Sequence, residues 1–350
     1  MGMQENETPG LLVEMPAQRL EGRSPGQSLK SLLTIGVFVV MFAFFSIFAN
    51  NFFTVRGVLN LLVQTSTFTI LSIGSALVLI VGGVDFSLGA VVAFSGTAVV
   101  VFAVTGMPIW ISMVLAVILG GIIGFVNGFL VARRHLPSFL TTFAMAILIY
   151  GILGGFSAYA ATHPAPFPLP ASLGDLSNVP VFKILSHDAT GASIVVFPGV
   201  SWIIFIMVFV ATLFHLVLTK TRIGRYFYLV GSNPEASRLS GIKVIRVRML
   251  AFVLAGMLAG LVGVLLASRM MAPPGGATGY EMIGIICAMI GGASLAGGVG
   301  SVAGAVIGSF LLSTLSMGLT MMNVNPYIPT FLNGFIVLTA VYLDQIRNRK

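Results

Sequence analysis

The sequence predicts an all-α fold, a polytopic membrane bundle of about ten transmembrane helices with both termini in the cytoplasm. Three observations predict it. Only 8% of the 350 residues are charged and 57% are hydrophobic, with a mean hydropathy of +1.03; soluble chains carry about 25% charged residues. Apolar runs of about 20 residues recur along the chain, the length a spanning helix needs. A lipid interior admits only helices or closed barrels, and barrel strands leave short alternating segments. These runs are continuous, so the reading is helical.

The elements follow in order. Residues 1–29 are polar and mixed in charge, with Glu5, Glu7, Glu14, Glu21, Arg19 and Arg23, and read as a disordered cytoplasmic tail. They lack the short apolar core of a signal peptide. The first span covers about Leu29 to Ala49. The second, about Gly57 to Val81, begins polar, and that half is costly against lipid, so it faces a cavity or another helix. GGVDFSLGA (Gly82 to Ala90) breaks the pattern. A third span follows to about Thr105, a fourth from Ile109 to Ala132 and a fifth from Ser138 to Tyr159. Residues 160–199 form a Pro-rich external loop. A sixth span covers Val200 to Leu218, and a seventh Met249 to Ser268. APPGGATGY reads as an external stretch, leaving Glu281 and Arg269 near the external surface and no charge at the centre of any span. Glu281 to Ile290, Val302 to Met321 and Tyr327 to Leu343 complete the count. The domain organisation is a tail (1–29), one transmembrane domain (30–345) carrying a polar cytoplasmic segment (219–248), and a short tail (346–350).

Charge supports this orientation. Of the 18 Lys and Arg, only Arg56, Lys183 and Arg269 fall outside, as the positive-inside rule requires. The formal charge of +8 is therefore a topology signal rather than a nucleic-acid face. A single cysteine, Cys287, excludes an internal disulfide. Paired motifs point to an internal inverted repeat: GxxxG strings at Gly120, Gly124, Gly128 and at Gly300, Gly304, Gly308; PSFL at Pro137 and PTFL at Pro329; GG at Gly82 and at Gly291. The three pairs are not offset by one common distance.

The segment 219–248 is the one long polar stretch between apolar blocks, and it holds Lys220, Arg222, Arg225, Arg238, Lys243, Arg246 and Arg248. It contains a helix signal. Asn233 is an N-cap type, Pro234 suits the first helical position, Glu235 complements the helix N-terminus, and Gly241 suits the C-terminal stop. On charge alone such a stretch is a solvated loop; a short capped helix there is also a handle for another protein.

Catalytic machinery is missing. There is no GxxxxGK[ST] phosphate loop, and no Cys/His cluster has metal-ligand spacing, so no catalytic, metal or cofactor-binding residue is expected. An ion-driven carrier usually needs ionisable groups within its spans. The candidates, Asp85, Glu281 and Arg269, all lie near span ends, and the lack of a charge at any span centre favours a passage for a neutral polar solute, powered elsewhere. Asn60, Gln64, Ser66, Asn127 and Thr141 offer hydrogen-bonding groups within spans, with helix–helix bonding as the competing role.

GRYFYLVGSNPEASRLSGIKVIRVR resembles the coupling segment of permeases in bacterial ABC importers for simple sugars, the ribose, xylose and arabinose permease family. Gly224, Arg225, Gly231, Asn233, Glu235, Ala236, Leu239, Ser240, Gly241 and Ile242 match that pattern, with Pro234 and Arg238 in the same helix. GGVDFSLGA is similar to the family's GGIDLSVGS through Gly83, Asp85, Ser87 and Gly89; NGFLVARRHLPSFLTT through Asn127, Gly128, Pro137, Phe139 and Thr141; and GYEMIGIICAMIGGASLAGGVGSVAGAVIG resembles its eighth and ninth helices. Ile283 stands where the family has an acid. The resemblance adds Asp85, Ser87 and Phe139 to the path candidates, Asp85 being the better fit for a cap or a paired structural role. It implies a permease in the bacterial inner membrane that couples transport of a monosaccharide or polyol to a cytoplasmic ABC ATPase, where ATP and Mg bind. It further implies a periplasmic substrate-binding protein, a second permease copy and no nucleic acid. Branched-chain amino acids, nucleosides or an autoinducer-type furanone remain open as cargo, and so does a secondary transporter.

Overall fold

The computed structural model describes residues 25–162, 168–178, 180–181, 183–187, 193–197, 199–275, 277–325 and 327–348. Residues 1–24 of the predicted tail and residues 349–350 lie outside the described residues. Helix α1 (Pro25–Phe48) starts just before the first predicted span. There follow α2 (Val55–Ile80), α3 (Leu88–Val104), α4 (Ile109–Gly128) with a π-helical turn at Phe129–Arg133, and α5 (Ser138–Thr162). After the loop predicted to be external come α7 (Trp202–Lys220), α8 (Arg222–Ser232), α9 (Pro234–Leu239), α10 (Val244–Met270), α11 (Tyr280–Ile290), α12 (Val302–Met321) and α13 (Tyr327–Asn348). Seven of these described helices are long and apolar enough to cross a membrane: α2, α4 with its π turn, α5, α7, α10, α12 and α13. Three more are apolar but shorter: Ile35–Phe48 within α1, then α3 and α11.

The loop between α5 and α7 departs from the all-helical expectation. It holds a helical turn, α6 (Asp175–Asn178), and two small antiparallel pairs: β1 (Pro180–Val181) with β4 (Val200–Ser201), and β2 (Ile184–His187) with β3 (Ser193–Phe197). The β-branched run Ile194, Val195, Val196 suits a strand. The loop is also anchored: Leu173 is fully buried against Val99, Val264 and Ala267, and the Ser177 hydroxyl donates to the Ser268 carbonyl at 3.0 Å. The Pro-rich run at its start lies largely outside the described residues.

Helix α2 is the axis of the bundle, with every residue from Thr65 to Ile80 buried. Thr54 starts it, accepting the Gly57 amide at 3.0 Å. Helix α10 crosses beside it, Gly74 facing Ala255. The first GxxxG string lies on α10: a Cβ at Gly120 would overlap the Gly256 carbonyl, and one at Gly124 the Phe252 carbonyl. The second lies on α11, Gly304 against Gly291 and Gly308 against the Cys287 carbonyl. Lipid gives helices no hydrophobic reason to associate, so such backbone approach is how they gain contact. The contacts fall into matched sets: α3 and α4 on α10, α11 and α12 on α2; α5 on α3, α13 on α11.

The stretch expected at the external surface after α10 instead enters the bundle. Met271 (φ 48°) turns the chain, Pro274 packs against Gly96 midway along α3, and Gly279 (φ 95°) starts α11. The Tyr280 ring meets Phe68, near the middle of α2, edge-on at 6.0 Å. Glu281 therefore lies inside the bundle, its carboxylate against Gly89 and held by the Gly279 amide at 3.2 Å. Run length in a sequence measures helix length and is blind to depth, which is why the expectation placed Glu281 near the surface.

Candidate functional site

Thr221 caps α8, its hydroxyl accepting the Gly224 amide at 3.1 Å. Gly224, Phe227, Val230 and Gly231 form one buried face, spaced as a helix demands, while Arg222, Arg225 and Leu229 are exposed. Gly224 is needed because a side chain there would overlap the Val217 and Leu218 carbonyls. Charge alone reads this stretch as a polar loop, whereas Thr221 and the 3–4 spacing of its apolar residues signal the helix.

Helix α9 forms where the caps placed it. The Asn233 side chain accepts the Ala236 amide at 2.9 Å, and Pro234 occupies the first turn. At the far end Gly241 takes φ +81°, the Gly241 amide bonds to the Arg238 carbonyl and the Ile242 amide to the Ser237 carbonyl, each at 3.0 Å. This is a Schellman termination, which glycine alone adopts without strain. Ser237 turns inward; Glu235, Ala236, Arg238, Leu239 and Ser240 face out, with Leu239 78% exposed. Arg238 is paired with Glu235 at 2.5 Å, and this hydrogen bond holds the Glu235 carboxyl below its ordinary range. Between the end of α9 and the start of α10, Tyr226, Ser240, Lys243 and Arg246 border an open cleft of about 340 Å³. The result is a short helix with an exposed apolar knob, beside a cleft that carries Lys243 and Arg246.

Below α9 the segment is seated on bare backbone. Gly231 meets the Ile80 carbonyl at the end of α2, and Gly297 (φ +89°) meets the Gly231 carbonyl and Gly82. Gly298 meets Ser232 and donates its amide to the Ile80 carbonyl at 2.8 Å. The Tyr228 hydroxyl donates to the Gly300 carbonyl at 3.0 Å. The link between α2 and α3 and the link between α11 and α12 thus converge under the segment 219–248. In the sequence these glycines belong to different motifs, and nothing local signals that they meet.

The path candidates do not gather in one place. Asp85, Ser87 and Asn127 are buried together: the Ser87 amide and hydroxyl donate to Asp85 Oδ1 at 2.8 and 2.6 Å, and Asn127 Nδ2 donates to Ser87 Oγ at 2.8 Å. Phe139 is 51% exposed on α5 and stands edge-on to Phe86 at 5.1 Å. The Thr141 hydroxyl returns to the Pro137 carbonyl and that of Ser66 to the Leu62 carbonyl. Gln64 reaches Ser316 of α12 at 3.5 Å, and Asn60 is exposed.

The family model described as branched-chain amino acid transport system / permease component matches residues 57–341. The chain is 33% identical to the ribose import permease protein of Escherichia coli strain K12, over 90% of this chain and 92% of the relative. It is 31% identical to the xylose transport system permease protein of the same strain, over 92% and 93%. It is also 31% identical to the L-arabinose ABC transporter permease protein of Azospirillum brasilense, over 90% and 87%. No solved structure matches it.

Proposed function

The chain belongs to the branched-chain amino acid transport system / permease component family, and from that premise we propose that it is the membrane-spanning permease of an ATP-driven importer for a monosaccharide or related polyol. It is a multi-pass protein of the inner membrane. The observation that carries the coupling assignment is α9: a capped helix, free on its outer face, set between apolar helices and seated on two inter-helix links. In this reading a cytoplasmic ATPase binds ATP and Mg and receives α9, an external binding protein delivers cargo, and a second copy completes the passage. Ten helices cross the membrane, α3 and α11 among them, and both termini are cytoplasmic.

The matched contacts of α2–α5 and α10–α13 support the inverted repeat. On that correspondence PSFL at the start of α5 answers PTFL in the first turn of α13, and the GxxxG string of α4 answers that of α12. The GG pair falls out, since Gly82 follows α2 whereas Gly291 follows α11. Asp85, Ser87 and Asn127 are assigned to holding the α2–α3 link rather than to touching cargo.

Co-expression with the ATPase and binding protein tests the reading. The wild-type chain should co-purify with the ATPase and take up a labelled pentose. Leu239→Asp, which alters only an exposed side chain, should abolish co-purification while the chain still accumulates in the membrane; retained association would refute the coupling role of α9. The sugar cargo is supported by the relatives' names, whereas the family description favours branched-chain amino acids. Competition of pentose uptake by excess leucine would move the cargo to that class.

A further inference from the structure

Among the seven long described spans, α5 and α13 are the least embedded. None of the apolar stretch of α13 and 17% of that of α5 is buried, against 89% for α2 and 67% for α10. Each is nevertheless tied by side chains to one of the two links beneath the coupling segment. On α5, the hydroxyls of Ser138 and Thr142, one turn apart, accept the amides of Val84 and Phe86 at 3.2 and 3.0 Å. On α13, Asp344 Oδ2 accepts the Leu295 amide at 3.0 Å and the Ser294 hydroxyl at 3.1 Å. The α11–α12 link touches Gly231 and Ser232, directly before α9, through Gly297 and Gly298, and the α2–α3 link joins this junction where Gly82 meets Gly297.

We propose that Asp344 on α13, with Ser138 and Thr142 on α5, are positioning residues that transmit movement of α9 to these two helices. The physical reason is a contrast in stiffness. α2 and α10 are locked by close backbone packing and resist displacement. α5 and α13 have little packing to overcome, so the end that is hydrogen-bonded to a link follows that link. The route is short and made of contacts: α9, Asn233, the glycine junction, the two links, the two latches. Asp344 bears the more on its own, since one carboxylate oxygen takes two donors, one of them a backbone amide that a truncated side chain leaves unmet.

The inference rests on the permease reading, and the experiment separates the two. The full chain is assembled with its ATPase and binding protein in proteoliposomes, and ATP hydrolysis and uptake of labelled ribose, xylose and arabinose are measured in parallel. Asp344→Ala should leave assembly intact and hydrolysis within about twofold, while uptake falls about tenfold, as expected for the loss of a coupling free energy between sites. Asp344→Asn keeps an acceptor oxygen and should restore at least half of the uptake. A purely structural carboxylate would lower hydrolysis and uptake together, and either that outcome or unchanged uptake overturns the proposal. Should Asp344→Ala fail to accumulate, Ser138→Ala with Thr142→Val decides by the same split. Wild-type chain that assembles with no ATPase would sink the permease reading itself, and this inference with it.

Discussion

Asn233 shows how much one side chain decides. Its oxygen accepts the Ala236 amide, one of the donors that no helical carbonyl can reach. In so short a helix there is little propagation to offset a lost cap. Asn233→Ala should cost about 1 kcal/mol. The Ala236 amide should then exchange with solvent about fivefold faster, while Asn233→Asp should match the wild type; unchanged exchange in the alanine variant would show that docking contacts, not the cap, hold α9. This part of the site was legible in advance because capping is local: donor, acceptor and left-handed glycine lie within ten residues of sequence. Asp344 carries no such signal, since its partners Ser294 and Leu295 lie on a different element. Only the folded chain brings them together.

Among elements, glycines of identical sequence appearance divide into two kinds. Gly120 and Gly124 on α4 press on backbone atoms of α10, whereas Gly151, Gly154 and Gly155 on α5 meet nothing. A carbonyl cannot turn aside as a flexible side chain can. Gly124→Val should therefore destabilise the chain by about 1–3 kcal/mol or more, lowering the Tm of the detergent-purified protein by several degrees. Gly154→Val should leave the Tm near that of the wild type, and equal losses in both variants would contradict the packing of α4 on α10. Hydropathy located the long helices because burying apolar length in lipid is one-dimensional information. It could not reveal that the segment after α10 descends beside α3, because that depth is set by Gly96 making room for Pro274. Nor did it expose α8, whose polar and apolar faces average out along the sequence.

For the whole molecule, the uncovered faces carry the remaining expectation. Phe139, Phe143 and Ile147 line one side of α5, and Phe331, Phe335, Leu338 and Tyr342 follow one another along α13 at helical spacing. Both helices are tied at one end and mostly exposed along their length, unlike α2 and α10. A passage for a polar solute needs a second wall, because a groove open to lipid would leave the cargo's hydroxyl groups unsatisfied. On the proposed function, a second copy laid against α5 and α13 would supply that wall, with lipid covering the rest. The chain suits a direct measurement, since its one cysteine, Cys287, is fully buried and stays silent to oxidants that reach exposed thiols. Single cysteines at Ile147 or Leu338 should form disulfide-linked dimers in membranes under mild oxidation. A cysteine at Phe209, on the exposed face of α7, should not. Dimers formed through Phe209 alone would move the second copy to α7 and leave α5 and α13 facing lipid.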